Sequence, residues 1–304
     1  MTMSERRAGV IGLGVMGGAM TATLRRAGWD VVATDPAEAA REAAAKVGAR
    51  VVPDAASVAR ETDVLILSLP TANVVRAVID GPGGIAEGAH PGLVIVDTST
   101  LAPADARSIG ARLAELGVAY LDTPVSGGPG GAASGTLSVM AGGSAEALEW
   151  ARPVLMGIGN RVVHCGALGA GSVAKACNQL IVVATIGAVA EALSLADGAG
   201  VDAAAVREAL LGGWAASPIL DLHGARMLAG DWVPGGKAAF NLKDAHTLEA
   251  LVAETGVQIP VFEAAADYIR ALVDDGGGDL DHAAVYTKVR RTGPAGGASA
   301  GDHA

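Results

Sequence analysis

Residues 12–17 read Gly12-Leu13-Gly14-Val15-Met16-Gly17, a glycine-rich turn between an apolar run at 8–11 and a helix-like stretch at 15–27. Each glycine meets a separate demand of a strand–turn–helix unit that holds a pyrophosphate. Gly12 permits the tight turn, Gly14 lets the backbone approach the phosphates, and Gly17 lets the helix lie close on the sheet. Leu13, Val15 and Met16 complete the turn, whose free N–H groups and helix dipole favour an anion.

Gly28 ends the helix, residues 30–34 (DVVAT) read as a second strand, and Asp35 follows 18 positions after Gly17. A carboxylate there accepts hydrogen bonds from a ribose 2′-OH and repels a 2′-phosphate. Pro36 and Ala37 supply no arginine to offset it. The expected cofactor is NAD, with NADP possible.

The chain has 304 residues, 51% hydrophobic but only 3% aromatic, so its cores must be built from Ala, Val, Leu and Ile. A net charge of −10 argues against a nucleic-acid surface, and an anionic substrate needs locally placed positive groups. Cys165 and Cys177 are the only cysteines, which excludes a disulfide framework as the organising device and makes a reducing compartment the expectation. Arg6 and Arg7 precede an apolar run, but that run enters the glycine turn and no cleavage site follows. The longest uncharged apolar stretch, 180–190, falls short of the roughly 20 residues that a membrane span needs. A cytoplasmic location is expected, with neither membrane nor nucleic acid as partner. The six histidines are scattered without ligand spacing, so no metal is expected at the site.

Beyond Asp35 helical and strand patterns alternate: helices at 37–47, 54–60, 73–79 and 103–116, and strands at 50–52, 63–69, 93–97 and 118–121. Such alternation predicts a parallel sheet. Further strands are expected at 137–141 and 161–164, around a helix at 144–156. Strand signals then stop, and a long helix at 172–197 leads into helical patterns near 203–211, 218–228, 241–254, 260–273 and 282–289. The expected fold is α/β: an amino-terminal Rossmann-type parallel-sheet domain, then an all-α domain, joined by a long interdomain helix. The expected domains are 1–165 for dinucleotide binding and 166–291 for substrate binding and oligomerisation, with a disordered tail at 292–304. The long helix is apolar nearly all round and needs cover from the later helices or a second subunit.

Four places carry candidate chemistry. Leu69 and Pro70, and the run Asp97-Thr98-Ser99-Thr100, close two expected strands, where open parallel sheets bind ligands; ordinary turns and helix caps are the alternative. Ser126-Gly127-Gly128 lies in a glycine-rich segment at 122–143 and can offer a hydroxyl and consecutive N–H groups to a carboxylate, or form a flexible loop. Lys175 and Asn178 share a face of the long helix, unless Lys175 simply points to solvent near its start. Lys243 and Asp244 open another helix, where a solvated face is the alternative.

Together GLGVMG (12–17), DTPVSGGPGGAASGTL (122–137), GALGAGSVAKACNQ (166–179) and FNLKD (240–244) resemble the β-hydroxyacid dehydrogenases, in matching order over nearly the whole chain. The runs 98–107, 135–143 and 210–228 look most like the tartronate semialdehyde reductase branch, whereas residues 238–241 depart from it. The resemblance implies hydride exchange between a nicotinamide cofactor and a small 3-hydroxy acid. It makes Lys175 the catalytic residue and Asn178 its substrate-holding neighbour, with Ser126, Gly127 and Gly128 binding the substrate carboxylate. It places Leu69, Pro70, Val74 and Thr100 against the cofactor and Lys243 near the nicotinamide, and implies a homodimer or homotetramer. Tartronate semialdehyde, reduced to D-glycerate, is the expected substrate. 3-Hydroxyisobutyrate, L-threonate and succinic semialdehyde are alternatives, as are an imine reductase and an NADH-binding sensor without turnover.

Overall fold

The computed structural model describes residues 7–289, without the side chains of residues 243–247. The chain divides into two compact units that part between Asn178 and Gln179. The parting point falls inside the long helix, whose start is tied by hydrogen bonds to the sheet of the first unit.

The first unit runs β1 (Arg7–Ile11), α1 (Val15–Arg26), β2 (Asp30–Thr34), α2 (Glu38–Lys46), β3 (Arg50–Val51), α3 (Ala55–Glu61), β4 (Val64–Leu67), α4 (Ala72–Asp80), α5 (Ile85–Gly88), β5 (Val94–Asp97), α6 (Pro103–Glu115) and β6 (Ala119–Asp122). It continues through β7 (Val125–Ser126), α7 (Gly128–Ser134), β8 (Leu137–Gly142), α8 (Ala145–Ile158) and β9 (Gly159–Gly166) into α9 (Ala170–Gly198). The sheet order is β3-β2-β1-β4-β5-β6-β8-β7, with β9 beside β8. Strands β1 to β6 are parallel. The later part is mixed, since β8 runs antiparallel to β6 and β7 while β9 is parallel to β8.

The strands alternate between two buried layers, as side chains on successive residues must. Ala8, Val10, Val31, Ala33, Ile66 and Val96 face α1 and α8, where Met20, Leu24, Leu148 and Leu155 pack. Val32, Leu65, Leu67 and Ile95 face α3 and α6, meeting Val58, Ile109 and Leu113. Covering both faces explains why these strands read as uninterrupted apolar runs. The sheet order reverses between β1 and β4, and the crevice at their carboxyl ends is the switch point at which doubly wound sheets bind ligands.

The second unit is helical: the rest of α9, then α10 (Ala203–Leu211), α11 (Pro218–Ala229), α12 (Ala238–Thr255), α13 (Pro260–Asp274) and short 3-10 helices at Gly277–Asp279 and His282–Lys288. Polar caps define the starts, with Asp202 accepting from Ala204 N and Ser217 from Leu220 N. The last segment is a 3-10 helix and not an α-helix. The 29-residue α9 is long and apolar enough to cross a membrane by length and composition, in contrast to the shorter uncharged stretch at 180–190. Along it Gly187 lies so close to α13 that a Cβ would come within 2.9 Å of Ala265 Cβ, and Tyr268 Oη donates to Glu191 Oε1 at 2.8 Å. The tail expected at 292–304 lies outside the described residues.

A buried acid couples stability to pH. Asp97 is 1% exposed at the end of β5, in register with buried Asp122 on β6; it accepts from Tyr120 Oη at 2.8 Å and from Ser99 N at 2.9 Å. Burial pushes its carboxyl from 3.8 up to about 6, against the pull of those donors. A raised carboxyl means that the folded chain holds the proton more tightly. The associated stability is complete below pH 4 and is lost as pH rises through about 6, on the order of 3 kcal/mol. Asp97→Asn is expected to gain melting temperature relative to the parent between pH 4 and pH 7. A constant difference across that range contradicts the assignment.

Candidate active site

The glycine turn follows β1. Gly12 has φ of 91°, and a Cβ there would sit 2.3 Å from Ser68 O, against the end of β4. At Gly17 a Cβ would lie 1.8 Å from Gly12 O, so α1 packs directly on the turn that precedes it. Gly14 is different: a Cβ there meets nothing within 4 Å. Its space opens outward, and neighbouring Val15 is 73% exposed. The α1 N-terminus has no side-chain cap and no acidic residue in its first turn. Its N–H groups are left for an external anion. These features fit a dinucleotide pyrophosphate.

Asp35 extends from β2 to this turn, accepting from Leu13 N at 2.7 Å and from Ala37 N at 2.8 Å. The sequence reading found no arginine beside it, but the fold brings one. Arg41, in the first turns of α2, donates from Nη1 to the carbonyls of Asp35 and Pro36 at 2.7 and 2.9 Å. An acceptor for a ribose hydroxyl and a cation able to meet a 2′-phosphate thus share one corner. Across the crevice, Leu69 N donates to Ser99 Oγ at 2.9 Å and Thr98 Oγ1 to Leu67 O at 2.7 Å, locking together the ends of β4 and β5. Ser99 is therefore not a cap for α6, whose N-cap is Ala102. Leu69, Val74 and Thr100 are half-buried at this edge and Pro70 is exposed.

Asp122 at the end of β6 organises the next part. Its Oδ1 accepts from Gly169 N at 2.8 Å, and its Oδ2 accepts from Ser172 N and Oγ at 2.7 and 2.9 Å. Burial raises its carboxyl above the ordinary range, while these donors pull it down. A Cβ on Gly142 would come within 2.3 Å of Asp122 Oδ1, and one on Gly171 within 2.3 Å of Asp122 O, so only glycines let α9 start this close to the sheet. Sequence reasoning did not single out Asp122. Its signal is the pairing of an acid at a strand end with a distant glycine-rich helix start.

Asp122 thereby fixes Lys175 within the first two turns of α9. Lys175 Nζ donates to Val125 O at 2.9 Å, immediately before Ser126-Gly127-Gly128. Val125 and Ser126 form β7 on β8, and Gly127 and Gly128 turn the chain with φ of 129° and 60° into α7. The segment is ordered: Thr23 Oγ1 of α1 donates to Ala132 O at 2.8 Å. Lys175 and Asn178 are half-buried on the same helix face, so two motifs far apart in sequence converge on one ammonium, one hydroxyl and a positive-φ turn. Lys243 and Asp244 lie on α12, with side chains outside those described.

Comparison with known proteins divides the chain just ahead of α9. Residues 7–166 match the model of the NAD binding domain of 6-phosphogluconate dehydrogenase. Residues 169–289 match the model of the NAD-binding region of NADP-dependent 3-hydroxyisobutyrate dehydrogenase. The chain is 36% identical to a 2-hydroxy-3-oxopropionate reductase of Escherichia coli over 91% of its length and 94% of that protein's. It is 40% identical to an NAD-dependent L-serine dehydrogenase of Pseudomonas aeruginosa over 67% of its length and 70% of that protein's. A solved structure of Mycobacterium tuberculosis 3-hydroxyisobutyrate dehydrogenase with L-serine superposes with a TM-score of 0.84 at 35% identity, covering 94% of this chain and 99% of that one. With both halves of the chain matched, this protein belongs to the NAD(P)-dependent 3-hydroxyacid dehydrogenase family.

Proposed function

We propose that this chain reduces a small semialdehyde to its 3-hydroxy acid, with tartronate semialdehyde going to D-glycerate as the preferred reaction. The observation that carries this reading is the 2.9 Å contact of Lys175 Nζ with Val125 O, which sets an ammonium beside the Ser126-Gly127-Gly128 turn. Ser126 Oγ and the amides of Gly127 and Gly128 receive the substrate carboxylate. Asn178, one turn further along α9, steadies the substrate hydroxyl.

A reduced nicotinamide, when bound, supplies the hydride to the aldehyde carbon. As the C=O π pair moves onto oxygen, Lys175 gives that oxygen its proton, so no free alkoxide forms; in the oxidation direction neutral Lys175 takes the proton back. Gly12 to Gly17 hold the pyrophosphate, Asp35 the adenosine ribose, and Leu69, Pro70, Val74 and Thr100 the path toward the nicotinamide. Lys243 is assigned to the nicotinamide end through the FNLKD resemblance.

Initial rates of NADH and NADPH oxidation across tartronate, methylmalonate and succinic semialdehydes test the assignment. Tartronate semialdehyde with NADH is expected to give the highest kcat/KM, by about tenfold. Another semialdehyde in first place overturns the substrate assignment, and NADPH in first place means that Arg41 outweighs Asp35.

A further inference from the structure

The second unit gathers metal-ligating side chains that the sequence keeps apart. His223 lies on α11, while Asp281 and His282 stand at the start of the last 3-10 helix. Asp281 is fully buried; its Oδ2 accepts from Arg226 Nη1 at 2.9 Å and from the Gly235 and Gly236 amides at 2.8 and 3.1 Å, and Ala283 N donates to its Oδ1 at 3.0 Å. The carboxylate is thereby fixed with Oδ1 3.6 Å from His223 Nδ1, a buried ring nitrogen with no hydrogen bond. At the other end of that ring, His223 Nε2 faces His282 Nε2 at 3.2 Å. His282 Nδ1 in turn meets the Asn241 side-chain amide at 2.6 Å.

Proton placement decides what this chain of groups can hold. A 2.6 Å contact is too short for N–H···N and nearer the roughly 2.7–3.2 Å span of N–H···O, so the Asn241 amide oxygen belongs against the ring and His282 carries its proton on Nδ1. The Asp281 carboxylate likewise draws the His223 proton to Nδ1. Both Nε2 atoms then carry lone pairs 3.2 Å apart, an arrangement that a cation between them relieves. That separation matches the ligand–ligand edge of about 3.3 Å in a tetrahedral site with nitrogens at about 2.0 Å. The rings, with centroids 4.4 Å apart, need to open by less than ~1 Å to aim both nitrogens at one ion. An acid behind one imidazole and an amide behind the other are the outer partners that orient metal-binding histidines.

We propose that His223 and His282 bind one borderline-soft divalent cation of the zinc, copper or nickel class, oriented by Asp281 and Asn241. Two imidazoles favour these ions over magnesium and calcium, which take oxygen ligands. Asp281 Oδ1 is 4.0 Å from His282 Nε2 and stays in the supporting layer, so water completes the coordination. The side chains of His223 and His282 are 15% and 13% exposed, which leaves a route for the ion. Bound there, the ion clasps α11 to the segment that follows α13.

The test is Zn2+ titration of the chelator-treated full chain by calorimetry, with thermal unfolding in parallel. The experiment uses a Cys165→Ser/Cys177→Ser background, which removes thiolate sites. One Zn2+ per chain is expected, with a raised melting temperature and at least tenfold weaker binding in both His223→Ala and His282→Ala. Should an alanine variant fail to fold, His223→Gln and His282→Gln, neutral and of similar size, take its place with the same expectation. Binding that persists in the double variant, or no binding to the folded parent, overturns the proposal.

Discussion

Lys175→Ala is expected to lose at least about a hundredfold in kcat while still binding NADH. General acid–base catalysis contributes about 10² to 10⁴ in rate, and Lys175 is the proton-bearing side chain that the structure sets beside the Ser126 turn. The glycine turn and Asp35 remain intact in this variant, so an NADH fluorescence titration should be unchanged within a few-fold. Lys175→Arg should not restore turnover, because a guanidinium releases its proton only above about pH 12. Near-normal turnover in the alanine variant removes Lys175 from the chemistry. Loss of NADH binding would make its role structural.

The second large effect separates two glycines of the same turn. Gly17→Ala is expected to destabilise the first unit by roughly 3 kcal/mol or more and to abolish NADH binding, because its Cβ would lie 1.8 Å from the backbone oxygen of Gly12. Neither atom is the end of a flexible side chain, so the helix must lift from the turn. Gly14→Ala meets nothing within 4 Å, and its φ of −62° suits any residue, so the melting temperature should hold. The methyl instead enters the space reserved for the pyrophosphate, and NADH affinity should fall at least tenfold. A Gly14→Ala variant that binds NADH like the parent contradicts the placement of the cofactor.

Much of this architecture is legible in sequence, for physical reasons that differ by region. The β1–α1–β2 unit is readable because each glycine answers a local steric demand and Asp35 follows at a fixed interval. Strands β4 and β5 are readable because burial on both faces leaves uninterrupted apolar runs, as in Val64 to Leu67. The glycine-rich segment after β6 is not readable in this way. β7 and α7 have weak local preference and are set by distant partners, such as the Thr23 hydroxyl on Ala132 O. The antiparallel course of β8 is also a tertiary outcome, since a strand's period does not reveal its direction.

The site shows the same contrast. Lys175 and Asn178 announce themselves as polar residues on an apolar helix, but the meeting of Lys175 with Val125 depends on Asp122 tying α9 to the sheet. Arg41 escaped notice because it approaches Asp35 from within the next helix, not from the adjoining loop. His223 and His282 showed no ligand spacing because the fold, and not the sequence interval, brings their rings together.

The central claim is hydride transfer from a reduced nicotinamide to the aldehyde carbon of a small carboxylate. It is tested most directly by turnover of tartronate semialdehyde with NADH deuterated at C4, the two C4 epimers used separately. The account predicts D-glycerate carrying one deuterium on its terminal carbinol carbon from one epimer and none from the other. Glycerate unlabelled from both epimers, or tight NADH binding without turnover of any semialdehyde, would contradict it.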